Sequence, residues 1–382
     1  MPINQLKLKR ILSFNDCTVE LGALNVLIGP NAAGKSNLIE VIGLLQAAPK
    51  GIEGQILRGG GVRQWLWLGA RDPTVAAEVE CDLALPGGMQ TGPLLYRLEF
   101  WGAPEGFEIL HEHLMLGGAS EADGTTYFTR NGKGVQFGAH AQGLQMSPRE
   151  SVLARLKVPG DPTPITPVGE LFEQIKIFRE FRTGPTSQAR SGISTSASKD
   201  SLWDGGDNLA LVLHELDFLG AHDRIKEYLK RFCDRFEDVK VSVGEGLART
   251  FLREAGLSEM LSGFRVSDGT LKFLCLLAVL FHPRPAPLIC IEEPELGLHP
   301  DALRLVAEVL VEASERTQLV VTTHSEALVD ALTDRPEAVL VCERDFDNGT
   351  QFHRLSSDEL DEWLEHYTLG ELWRKGEIGG GR

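Results

Sequence analysis

Eight consecutive residues constrain this chain more than any others: Gly29-Pro30-Asn31-Ala32-Ala33-Gly34-Lys35-Ser36. They satisfy GxxxxGK[ST], a glycine-bearing turn whose backbone N–H groups can close around phosphate oxygens. The flanks suit that role. Leu24 to Ile28 is a short apolar run that reads as a buried strand. Asn37 to Gln46 reads as a helix with Leu38, Ile39, Ile42 and Leu45 on one side. A helix opening directly behind the turn adds the positive end of its dipole to the same spot. On this reading Gly29, Pro30, Asn31, Ala32, Ala33, Gly34, Lys35, Ser36 and Asn37 wrap the phosphates of a nucleoside triphosphate. Lys35 reaches the β- and γ-phosphates, and the Ser36 hydroxyl ligates Mg²⁺. The competing reading is a chance glycine turn before a helix.

Composition narrows the class. The chain has 382 residues, 54 acidic against 38 basic, for a formal charge of −16, and 42% of its residues are apolar. That is ordinary globular composition, so overall disorder is excluded and two or three lobes are expected. The longest apolar run, Phe273 to Phe281, is nine residues, and a bilayer-spanning helix needs about twenty. No apolar signal core follows Met1, and the six cysteines form no CxxC pair. A cytoplasmic protein without a zinc cluster or disulfide frame is expected. The acidic balance disfavours indiscriminate coating of nucleic acid but leaves room for a local basic surface.

Along the chain, residues 1–150 form a first lobe carrying the phosphate turn and an antiparallel meander. Its expected strands are Val75–Leu85, Leu94–Phe100, Phe107–Leu116, Thr125–Thr129 and Val135–Phe137. Residues 151–265 read as a linker and helical lobe. It begins with a Pro-rich connector (Pro159, Pro162, Pro164, Pro167) and contains an exposed flexible loop at 183–206, where 13 of 24 residues are Ser, Thr or Gly. Helices are expected at Leu209–Phe218 and Asp223–Phe236. Residues 266–356 alternate helix and strand: Thr270–Phe281, Leu288–Ile291, Asp301–Ala313, Gln318–Thr322, Glu326–Leu332 and Ala338–Cys342. Residues 357–382 form a short helix, with Ser356 and Glu359 as its capping box, and a tail. The fold class is α/β, wound on a mixed, mostly parallel sheet, with an antiparallel β subdomain and a helical lobe.

Three further signals follow in order. Ser267-Asp268-Gly269-Thr270 heads the apolar helix. Leu288 to Glu293 is a buried strand ending in two acids, although unpaired charge is costly to bury. Thr322-Thr323-His324-Ser325 ends the next strand. Beside a phosphate turn, Glu292 would hold the Mg²⁺ shell and Glu293 would polarise a water in line with the γ-phosphate. The plainer readings are a strand ending in solvated acids and a satisfied polar histidine.

In this order the motifs resemble the ABC-type ATPases, and within them the RecF/SMC-like head domains. Gly29 to Glu40 is close to that branch's phosphate loop and helix, and Glu292 to Pro300 to its acidic strand and following loop. Ser267 to Thr270 looks like the signature motif in an SDGT form, and His324 like the switch histidine. The likeness extends to stand-alone RecF-like AAA-family ATPases related to the overcoming-lysogenization-defect nucleases. It covers the first ~45 residues and ~265–345 tightly. It implies a P-loop NTPase of ABC-head type that uses ATP and Mg²⁺. Glu293, His324 and Lys35 would be catalytic, and Ser267, Asp268 and Gly269 would reach, in trans, the γ-phosphate bound by a second copy. Such a head-to-head homodimer buries two ATP and separates after hydrolysis. The family's lobe-joining glutamine, a Mg²⁺ ligand, is assigned to Gln145, with Gln55, Gln64 and Gln136 as alternatives. Phe14 is weighed between the adenine and ordinary core.

About 230 residues separate Ser36 from Ser267, so no long coiled-coil arm is expected. Residues 357–382 are too few for a Toprim nuclease domain, so the chain is not expected to cut DNA by itself. Two roles stand open. One is a repair or genome-maintenance ATPase that binds duplex DNA through Arg224, Lys226, Lys230, Arg231 and Arg235 around Tyr228. The other is the sensor ATPase of an anti-phage system, controlling a separately encoded nuclease or effector docked on loop 183–206. No membrane partner is expected.

Overall fold

The computed structural model describes residues 1–69, 75–85, 92–104, 106–117, 125–138, 140–157, 162–345 and 347–379, with the side chains of 140–143 left aside. The chain divides into two compact units. The first comprises Met1–Ile175, Leu340–Leu355 and the end of the chain from Gly379. The second comprises Lys176–Val339 and Ser356–Ile378. Each unit therefore draws on distant parts of the sequence.

In the first unit the strand feeding the phosphate loop, Leu24–Ile28, is buried at every position. It lies beside Val339–Asp345, and the sheet continues through Gly349–Arg354, Phe14–Glu20, Ile3–Ile11, Ala77–Leu83, Leu94–Ala103, Gly106–Leu116, Thr126–Asn131, Gly134–Phe137 and His140–Gln145. From Val339 onward these neighbours pair antiparallel where register is defined, for example Lys7 opposite both Thr18 and Glu80, and Leu98 opposite Val79. Alternation of apolar and polar residues sets those registers, because a slip by one would turn the whole apolar face outward. The meander is longer than expected. His140–Gln145 forms one more strand, and Gly349–Arg354 follows a turn the sequence pattern did not reveal. The stretch expected as a Pro-rich connector holds the helix Ile165–Gln174, with Pro164 as its N-cap. A proline's missing N–H costs nothing in a first turn. Pro159 lies outside the described residues.

The second unit has a parallel ribbon of Lys176–Phe178, Leu288–Glu292 and Gln318–Thr322, in which Ile177, Cys290 and Val320 are aligned. Its central helix, Asp268–Leu280, is buried on nearly all sides from Thr270 onward except at Lys272. Phe273 stacks on Phe232 with ring centroids 4.4 Å apart. Beside it stands a small antiparallel sheet built on Phe236–Gly244 and Leu247–Glu254, where helix had been expected to run on through Phe236. The helix stops at Phe232, and the next residues pair in a hairpin. Segment 183–206 is not the exposed loop its composition suggested. It contains a helical turn, Gln188–Ser191, and a short strand, Ile193–Ser194, with Ala189, Arg190, Ile193 and Leu202 buried. The capping box expected at Ser356 and Glu359 is absent, and the box forms instead at Thr368 and Glu371, opening the helix Leu369–Lys375. No helix among the described residues is long and apolar enough to cross a membrane.

Candidate functional site

The phosphate loop is shaped by two glycines that no other residue replaces without movement. Gly29 has φ +143°, and a β-carbon there would sit 2.1 Å from the Cys342 carbonyl oxygen. Gly34 has φ +114°, and a β-carbon would meet Thr350 Oγ1 at 2.3 Å and Ser13 Oγ at 2.7 Å. Helix Lys35–Ala47 starts immediately after Gly34 and carries no acid in its first turn, which leaves its positive end uncompensated. Lys35 is buried, its ammonium donating to the carbonyls of Gly29 at 2.8 Å and Pro30 at 3.0 Å. Asn31, Ala32 and Ser36 are exposed, and Ala32 takes a left-handed φ of +62°.

Behind the loop lies a polar brace that sequence reasoning did not find. Asn37 Nδ2 donates to Ser13 Oγ at 2.7 Å. Thr350 Oγ1, fully buried, lies 2.7 Å from Ser13 Oγ and donates to the Ala33 carbonyl at 2.6 Å. Buried hydroxyls persist only when bonded in this way. Ser13 and Thr350 are 337 positions apart, so no local spacing could have announced them. Phe14 is fully buried with its ring 6.0 Å from that of Phe352, so it is core rather than an adenine contact. Gln145 is exposed at the end of the edge strand, with Nε2 against Gly134, ten strands along the sheet from Leu24–Ile28. That placement does not bring it to Ser36. Of the glutamines considered, Gln55 is bonded to the loop's helix, through Nε2 to Glu40 Oε2 at 3.1 Å, one turn beyond Ser36.

The second unit gathers the other motif residues. Glu292 closes the strand Leu288–Glu292 and is ion-paired to Arg179. Glu293 departs from the strand with φ +46°, its N–H held by the Thr322 carbonyl at 3.0 Å. A left-handed, non-glycine residue costs of order 1–3 kcal/mol and persists only where its surroundings dictate it. His324 sits at the end of the next strand, with Nε2 3.8 Å from Glu293 Oε1 and both side chains more than a third exposed. Glu295 turns to Thr323 and His324, while His299 Nδ1 accepts from the Asp301 N–H. Among the described residues, no group of three metal-type ligands occurs.

Ser267 caps the helix Asp268–Leu280, its Oγ accepting from the Thr270 N–H at 3.1 Å. The loop before it is clamped by Arg190, which donates to the carbonyls of Thr183 at 2.6 Å, Gly263 at 3.0 Å and Val266, and pairs with Asp268. Beside this cap lies a cavity of about 540 Å³ lined in part by Arg265, Ser267, Thr270, Arg231 and Arg235. Three of the five cations expected to face DNA are ion-paired within the unit. Arg224 is bonded to Glu312 and Glu227, Arg231 to Glu308, and Arg235 to Glu254. Tyr228 is buried and donates to Glu312 at 2.7 Å.

Comparison with known proteins fits this arrangement. The family model described as "AAA domain, putative AbiEii toxin, Type IV TA system" matches residues 24–75 and 186–330, just over half of the chain. The chain belongs to this AAA-domain family. A stretch of 76 residues is 40% identical to the "Old nuclease" of Escherichia phage P2, spanning 20% of this chain and 12% of that protein. Among solved structures, an Smc head bound to the C-winged helix domain of ScpA superposes with a TM-score of 0.59 at 14% identity, covering 94% of this chain and 99% of the other. An Smc head with an extended coiled coil, from Pyrococcus furiosus, gives 0.58 at 15% identity, with 96% and 99% covered. The fold is that of the RecF/SMC-like, ABC-type heads, as the motif order implied.

Proposed function

We propose that this AAA-domain protein binds ATP with Mg²⁺ at its phosphate loop and hydrolyses it in a head-to-head homodimer, each copy lending Ser267, Asp268 and Gly269 to the other's nucleotide. The observation that carries this reading is the approach of Glu293, held in a left-handed turn, to His324 across two parallel strands. A general base and a γ-phosphate sensor have to converge in this way. Lys35 neutralises phosphate charge from the loop. Ser36 and Glu292 are hard oxygen donors of the kind Mg²⁺ prefers, and the ion would draw charge from the β- and γ-phosphate oxygens. Gln55 takes the lobe-joining part first given to Gln145. Phe264 and Leu296, both apolar and about half exposed, stand beside the opening of the Ser267 helix, which supports a protein contact there.

For the biological role, the family's toxin–antitoxin description and the phage nuclease likeness support a regulatory ATPase controlling an effector. The expected DNA-facing helix contributes less support to a repair role, because three of its five chosen cations are already ion-paired. The test is light scattering of Glu293→Gln at micromolar concentration with saturating ATP. A dimer is expected, and it should be lost in Lys35→Ala and Ser267→Arg. Monomers throughout would refute the shared-site reading.

A further inference from the structure

Glu295 lies two residues after Glu293, in the loop that leaves the acidic strand. Its Oε1 accepts from Thr323 Oγ1 at 2.7 Å and from the His324 backbone N–H at 2.7 Å. Thr323 Oγ1 in turn accepts from the Ser325 N–H at 3.0 Å, and Ser325 caps the helix Glu326–Asp330. One carboxylate oxygen thus fixes the backbone on which the histidine is carried and the turn that follows it. Charge-assisted bonds of this kind are about twice as strong as neutral ones.

The loop is fastened at its other end to the helix that Ser267 opens. Lys272 Nζ donates to the Leu296 carbonyl at 3.1 Å. Gly269 runs so close to the loop that a β-carbon on it would lie 2.9 Å from the Gly297 carbonyl. A continuous set of contacts therefore runs from Gly269 and Lys272, through Leu296 and Gly297, to Glu295 and so to His324, all inside the second unit.

We propose that Glu295 is a positioning residue for His324, and that through it the opening of the Ser267 helix sets where the histidine stands relative to Glu293. The inference rests on the ATPase reading. Glu295 acts through the His324 backbone N–H that it accepts from. A contact made by a second copy at Ser267 would then be felt at the histidine of the same chain, which makes hydrolysis conditional on assembly.

The experiment measures kcat, KM and ATP affinity for wild type, Glu295→Ala, Glu295→Gln, Lys272→Met and Glu293→Gln. Glu295→Ala is expected to lower kcat about ten- to a hundredfold, as a displaced catalytic group does, with KM and ATP affinity within twofold. Glu295→Gln keeps an acceptor oxygen at the same reach and should recover most of the rate. Lys272→Met, which keeps the carboxylate but frees the loop's far end, should lose about fivefold in kcat. It serves as the probe if Glu295→Ala does not fold. A His324 imidazole proton resonance that moves in Glu295→Ala and returns in Glu295→Gln would support the positioning role. Normal kcat in Glu295→Ala, or equal losses in the Ala and Gln variants, overturns this inference alone. Wild-type turnover that Glu293→Gln does not remove overturns the ATPase reading and this inference with it.

Discussion

Replacing Arg190 by alanine should damage the protein more than any surface charge on the same unit. Its side chain is 9% exposed and holds three backbone carbonyls, those of Thr183, Gly263 and Val266, besides the Asp268 carboxylate. Removing the guanidinium takes the donor from the Thr183 and Val266 carbonyls, while the Gly263 carbonyl keeps the Val266 N–H at 3.4 Å. Each orphan costs about 1–3 kcal/mol, and an uncompensated buried partner about 3–5 kcal/mol. Asp268 is 59% exposed, so water takes over its share, and the Gly263 and Val266 carbonyls lie in a short turn that can relax. The expected loss is therefore about 3–5 kcal/mol rather than the simple sum. The control is Arg231→Ala, whose partner pair with Glu308 is 42% and 44% exposed; screened pairs of that kind contribute roughly 0–1 kcal/mol. Urea unfolding followed by circular dichroism gives both values from the same linear extrapolation. Because the clamp holds the loop that delivers Ser267, Arg190→Ala should also lose ATP turnover while retaining nucleotide binding. An Arg190→Ala loss within 1 kcal/mol of the Arg231→Ala value would refute the clamp argument.

Other outcomes follow from the same structure. Gly34→Ala should abolish nucleotide binding, measured by calorimetry, because the β-carbon collides with Thr350 and Ser13 and the backbone is left-handed. Burial alone would push the Glu312 carboxyl up, but its bonds to Arg224 and Tyr228 outweigh that and hold it below its ordinary 4.5. Its contribution to stability is thus complete above 4.5 and lost as pH falls through the lower folded value, so Glu312→Gln should flatten the acid limb of a stability–pH curve. Burial pushes the Cys17 and Cys342 thiols up to about 12 and raises those of Cys81, Cys275 and Cys290 as well. Iodoacetamide at neutral pH should therefore label the half-buried Cys233 first, and mass spectrometry finding Cys290 equally modified in the native protein would contradict this.

The phosphate loop, the acidic strand, the serine cap and the strand-end histidine were legible because each is local. A glycine pattern between strand and helix, or an apolar run ending in carboxylates, places its own side chains through backbone geometry alone. Segment 183–206 was misread for the converse reason. Composition reports how little apolar surface a segment brings, but Arg190 orders it through carbonyls 73 and 76 positions away. The basic helix misled in the same manner. Its cations looked available until Glu308 and Glu312, on another helix, were brought against them. Gln145 and Gln55 were indistinguishable as letters, and the bond between Gln55 and Glu40 separates them.

By itself, then, the sequence determined where the motifs lie: the glycine-rich loop between strand and helix, the strand ending in two carboxylates, the serine cap, the strand-end histidine, and the order in which they occur. Those motifs depend on spacings of a few residues, where covalent geometry leaves little freedom. Only the tertiary structure decided what braces them. The Ser13–Thr350 support, the hold of Arg190 on Gly263 and Val266, and the Glu295 tie to His324 join residues between 29 and 337 positions apart. Such contacts carry no local signature, because they arise only when packing has removed water from polar groups and left them to find one another.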